Sequence, residues 1–100
     1  MKQRHNQLAE MLAQLRRELP LKRPVILRVV PMKDYGSCSL SDSEKHLTIC
    51  IRSTDSAETQ ADSLLHEYAH AMDLDINGNH SKQWGKLYSQ VYGTWCKHNA

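Results

Sequence analysis

Leu8, Leu12, Leu15 and Leu19 recur at intervals of four, three and four residues, one apolar stripe of a helix that Pro20 brings to an end. Pro24 and Pro31 bracket the β-branched run Val25–Val30, which reads as a strand. Gly36 marks a turn within residues 33–37, and residues 38–41 and 46–52 read as two further strands about a turn at residues 41–45. In the last of these, Leu47, Ile49 and Ile51 alternate with Thr48, Cys50 and Arg52, the pattern of a half-buried strand. Asp55 followed by Glu58 predicts the opening of a second helix running through Asp62, Leu65, Ala69 and Met72. That helix should stop before Gly78, whose freedom at positive φ suits a helix end. Trp84, Leu87, Val91 and Trp95, widened by Tyr88, mark a last helix. The order α-β-β-β-α-α predicts an α+β fold with a small three-stranded antiparallel sheet.

One hundred residues make a single domain, residues 1–100, with 40% hydrophobic and 24% charged positions, an ordinary globular balance. No apolar run approaches the roughly 18 residues of a membrane span. The opening MKQRHNQLAE lacks the apolar stretch of a secretory signal, so a cytoplasmic location with no membrane partner is expected. Cys38, Cys50 and Cys96 form no CxxC pair, which points to free thiols, with a Cys38–Cys50 disulfide across the hairpin left open. Charge is uneven: residues 1–33 carry +6 and the remainder −4. The basic third is the candidate phosphate-attracting surface; the plainer account is solvated charge on a helix and a strand.

Within the second helix lies His66-Glu67-Tyr68-Ala69-His70. One helical turn separates the two histidines, so both imidazoles leave the same face and can reach one ion. Glu67 beside them is placed to take a proton from an activated water. A shuffle of this composition produces the pattern only about 2% of the time, so the motif weighs more than two chance surface histidines. Neutral imidazole suits Zn²⁺, and a catalytic zinc wants three protein ligands and an open position. His80, arriving after the turn at residues 75–79, is the expected third ligand; His98, Asp73 and Asp75 are the alternatives. Asp62 and Asp73, at i−4 from His66 and i+3 from His70, are candidates to orient the imidazoles. Tyr35, Tyr88 and Tyr92 are candidates to donate to a developing oxyanion.

The motif, a Gly-containing turn and then His80-Ser81-Lys82-Gln83-Trp84 resemble the SprT-like (Spartan-type) metalloprotease core, with Trp84 in the place of an aromatic that packs inward. The hairpin from Tyr35-Gly36 to Leu47-Thr48-Ile49 is similar to that family's short sheet. The resemblance implies a zincin-like fold and a zinc peptidase with His66, His70 and His80 as ligands and Glu67 as general base. It also implies action on DNA-associated proteins. Family members commonly carry a C-terminal zinc ribbon; with no cysteine pair here, DNA contact would fall to the basic N-terminal third. Two other readings stand beside this one. The first is a non-catalytic zinc module that binds nucleic acid or protein, its site closed by Cys50 or Cys96. The second is a repressor-cleaving metallopeptidase with Asp73 or Asp75 as an acidic third ligand.

Overall fold

The computed structural model describes residues 2–77 and 84–99, with side chains at 7–75 and 85–97. Helix α1 (Lys2–Glu18) leads to strands β1 (Val25–Val30), β2 (Gly36–Leu40) and β3 (Leu47–Arg52), then to helices α2 (Ala57–Asn77) and α3 (Trp84–Asn99). The leucine stripe of α1 packs on α2, and its Leu8, Leu12, Leu15 and Leu19 are all buried. No helix among the described residues is long and apolar enough to cross a membrane.

The sheet is mixed, in the order β1-β3-β2, and not antiparallel throughout as the sequence pattern suggests. Strand β1 runs parallel to β3, pairing Val25 with Leu47 and Leu27 with Ile49, while β2 returns antiparallel, pairing Cys38 with Ile49. The physical reason is burial. Leu47, Ile49 and Ile51 of β3 are wholly buried, whereas the serines of β2 are exposed. The most deeply buried strand, β3, is the central one, and serine-rich β2 takes an edge. Residues 31–35 cross the end of β3 to allow this, and Arg52 holds them there. Its backbone N–H donates to the Tyr35 carbonyl (3.0 Å), its Nη1 donates to the Lys33 carbonyl (2.8 Å), and its guanidinium lies 4.3 Å from the Tyr35 ring centre.

The register also decides the cysteines. Cys38 lies opposite Ile49, and Cys50 lies opposite Ser37, so successive pleats point the two thiols to opposite faces. All three cysteines are free.

Helix α2 is capped by Ser56 rather than Asp55. The Ser56 hydroxyl accepts from the Thr59 backbone N–H at 3.2 Å, while Asp55 pairs with Arg52 Nε at 2.9 Å. Asp55 is drawn off by a charge partner three residues back, and the next capping residue takes over. Packed between the sheet, α1 and α3, the helix buries Leu64, Leu65, Tyr68, Ala69 and Met72. The Tyr68 hydroxyl donates to the Leu19 carbonyl just past the end of α1.

Candidate metal centre

Because α2 is the central helix, one stripe alone stays open along it. Thr59, Asp62, His66 and His70 follow one another at three- and four-residue spacing and are half-buried or exposed, while most of their neighbours on the other faces are buried. Both histidines of the motif thus stand at the surface of an otherwise enclosed helix. Their ring centres are 5.0 Å apart, with the ring planes at 67°. A zinc–nitrogen distance of about 2.0–2.1 Å puts each ring centre about 3.2 Å from the ion, so two rings at a tetrahedral angle stand about 5.2 Å apart. The separation of the two rings is compatible with a shared ion. The third expected ligand, His80, lies outside the described residues, as do Gly78 and the side chains of Trp84 and His98. Among the described residues no group of three or more His, Cys, Asp or Glu side chains could hold a metal.

Glu67 sits next to this stripe, turned toward the sheet and only 7% exposed. It lies where two clefts meet. One, of about 410 Å³, is lined by His66, Tyr35, Tyr88 and Asp62; the other, of about 440 Å³, by His70, Asp73 and the side of β2 from Gly36 to Leu40. Gly36 makes the approach of strand and helix close enough. A Cβ there would stand 3.1 Å from Glu67 Cγ and 3.0 Å from the Cys50 carbonyl oxygen. Gly36 reads in the sequence as a turn residue, yet here it opens β2 and lets the carboxyl pass. Burial pushes the Glu67 carboxyl up to about 7, and pushes the Cys38 thiol up to about 12 with help from the nearby Glu67 and Cys50 charges.

The raised Glu67 value has a consequence for stability. A carboxyl whose folded value lies above its ordinary 4.5 favours folding in its neutral form, and this contribution fades as pH rises from about 4.5 through about 7. In chelator, Glu67→Gln should therefore melt at nearly the wild-type temperature at pH 4. It should gain on the order of 3 kcal/mol by pH 8. Thermal melts of both proteins across that range check this; equal melting at every pH would mean that the carboxylate is not strained by burial.

No protein-family model, curated protein or solved structure matches the chain. The likeness to SprT-like proteases therefore rests on the motif residues alone.

The structure sorts the remaining candidates. Tyr35 and Tyr88 line the cleft of His66 and Glu67, and the Tyr88 ring stands edge-on to His66 with centres 5.6 Å apart. Tyr92 is one turn further along α3 and lines the adjoining cleft. Asp73 is buried and lines the His70 cleft. Asp62 is exposed in the His66 cleft and makes no hydrogen bond or ion pair among the described residues, so it does not orient His66. Asp75 is no ligand candidate. Its carboxylate accepts from the Lys22 backbone N–H (2.7 Å) and from Arg23 Nη1 (2.9 Å), tying the last turn of α2 to the lead-in of β1. Proximity in sequence to the motif gave no sign of this role; the complementary charge of Arg23, 52 positions away, was the signal. Cys50 faces away from the helices and Cys96 is exposed on α3, so neither lines a cleft that Glu67 reaches.

Proposed function

We propose that this protein is a zinc-dependent endopeptidase of the SprT-like, zincin-like type. His66, His70 and His80 would hold Zn²⁺, and Glu67 would act as the proton carrier. The observation that carries the reading is Glu67 itself. The residue is mostly buried, makes no hydrogen bond or ion pair among the described residues, and opens onto both clefts beside the two histidines. A buried carboxyl in that state costs stability, and a proton-transfer role accounts for it.

Held by His66, His70 and His80, a zinc ion would supply Lewis acidity toward a peptide carbonyl and a water molecule. Glu67 takes the proton of the attacking water and passes it to the leaving amine. Tyr35 or Tyr88, both at the His66 cleft, would donate to the carbonyl oxygen as charge develops. Strand β2 lies at the edge of the sheet and runs along the His70 cleft from Gly36 to Leu40. An extended peptide added antiparallel or parallel to that edge would pass Glu67.

The SprT-like reading extends to DNA-associated protein substrates. Of the basic third, Arg23 is engaged with Asp75, and Arg28 lies on the outer side of the sheet. Among the described residues, contact with DNA would fall to Arg16, Arg17 and Lys22 near the end of α1.

The second reading, with Asp73 as an acidic third ligand, has Asp73 buried in the His70 cleft, but His66, His70 and Asp73 do not come together as a group that could hold a metal. Native mass spectrometry in zinc separates the two. One zinc per chain is expected in the wild type and in Glu67→Gln, and none in His66→Ala, His70→Ala or His80→Ala. Zinc kept in His80→Ala but lost in Asp73→Asn would move the third ligand to Asp73. Zinc retained by all three histidine variants would contradict the metal site.

A further inference from the structure

Strand β1 is paired on one side only. The sheet order β1-β3-β2 leaves its other edge without a strand among the described residues. The Pro24 carbonyl accepts from the Leu47 N–H at 3.0 Å, and the Val30 carbonyl from the Ser53 N–H at 2.9 Å. In a parallel ladder the backbone groups of one residue face the partner strand and those of the next face away. Pro24, Ile26, Arg28 and Val30 therefore turn their backbone groups to β3. Val25, Leu27 and Val29 turn theirs, N–H and C=O alike, to the open edge. No hydrogen bond reaches these outward groups among the described residues.

Parallel strands ordinarily have both faces covered. Here α2 packs on β2 and β3, while Val25, Leu27 and Val29 reach the core from the helix side yet stay half-buried. On the other face Ile26 is 46% exposed. The segment also carries charge of one sign: residues 19–33 hold Lys22, Arg23, Arg28 and Lys33 and no acidic residue. Arg23 is engaged by Asp75 and by the Glu44 carbonyl. Lys22 and Arg28 have exposed side chains that make no hydrogen bond or ion pair among the described residues. Two copies set edge to edge would oppose these cations, which works against self-pairing. A nucleic acid would meet the cations but leave the backbone groups and aliphatic side chains unmatched. An extended polypeptide with acidic side chains answers all three.

We propose that β1 is a docking edge for an extended acidic segment of a partner protein, which adds to the sheet as a fourth strand. Its aliphatic side chains would lie on the helix side against Val25, Leu27 and Val29. Its carboxylates would lie on the other face at Arg28, with Lys22 at the start of the strand. Strand β2, which runs along the His70 cleft, is the opposite edge of the sheet, so a partner on β1 leaves the candidate metal centre open. The proposal goes beyond the peptidase reading and does not depend on it.

The probe is a fluorescein-labelled ten-residue peptide of alternating valine and glutamate, compared with one that has lysine in place of glutamate. Both are titrated by fluorescence anisotropy against the zinc-loaded full chain carrying Glu67→Gln, which leaves the peptide intact. The glutamate peptide should bind at least about tenfold more tightly. Adding Arg28→Glu should remove that preference, while Lys97→Glu, the same charge change at an exposed position of α3, should leave it in place. Two further probes carry N-methyl groups on the valines or on the glutamates; whichever set faces β1 should lose at least about tenfold in affinity, because its donors are gone. In amide NMR spectra the largest shifts should fall at Val25, Leu27 and Val29. Equal binding of the glutamate and lysine peptides, undiminished binding of both methylated peptides, or shifts centred on β2 would overturn the docking edge. So would binding of a ten-nucleotide strand without binding of the glutamate peptide, or a dimer in sedimentation that the peptide does not dissociate. None of these readouts uses hydrolysis, so loss of the peptidase reading leaves the result standing.

Discussion

Glu67→Gln is expected to keep its zinc and to hydrolyse peptides about 10²–10⁴-fold more slowly than the wild type, the range a positioned general base contributes. Glutamine has the same shape, so it should sit in the same space beneath Gly36, where a Cβ on residue 36 would already come within 3.1 Å of the side chain. What it lacks is an acceptor for a proton. The substitution should also stabilise the metal-free protein at neutral pH, because burial works against the carboxylate. A variant that becomes more stable while losing activity separates a proton-transfer role from a structural one. Steady-state rates on an unfolded protein substrate, taken beside zinc content, check this. Near-wild-type rates would remove Glu67 from the chemistry.

Asp75→Ala carries the largest expected effect on stability. Its buried carboxylate closes two contacts at once, with the Lys22 backbone N–H and with Arg23 Nη1, and Arg23 also donates to the Asp75 carbonyl at 3.0 Å. Arg23 Nε further donates to the Glu44 carbonyl at 2.7 Å, so the same guanidinium ties the turn between β2 and β3. Removing the carboxylate leaves an N–H and a half-buried guanidinium short of their partner. The loss should be about 3 kcal/mol, discounted from a fully buried pair because Arg23 keeps some access to water. For a domain of this size that lowers the melting temperature by more than about 10 °C. Zinc binding at room temperature should be unchanged. Differential scanning calorimetry with metal analysis reads both, and lost zinc with an unaltered melting temperature would put Asp75 in the metal site.

Much of this architecture is legible in the sequence because it is local. The 3.6-residue period fixes that His66 and His70 share a face, and the alternation of Leu47, Ile49 and Ile51 marks the strand that becomes central. What local pattern does not encode is partnership. Nothing within 25–52 says which strand lies in the middle, so an ordinary meander is expected where the wholly buried β3 instead displaces β2 to the edge. Ser56 and Asp55 are both good capping residues, and the choice falls to Arg52, which is on a different element. Asp75 resembles a ligand candidate because it follows the motif, yet its partners precede β1. Gly36 is legible as a glycine in a bend; that its missing Cβ admits Glu67 depends on two segments 31 positions apart.

The most direct test of the central claim is mass spectrometry of an unfolded protein substrate after incubation with zinc-loaded wild type, chelated wild type and zinc-loaded Glu67→Gln. New peptide termini should accumulate with zinc-loaded wild type and fall to trace level in the other two. Fragments formed equally by Glu67→Gln, or an intact substrate in all three samples, would contradict a zinc peptidase that works through Glu67.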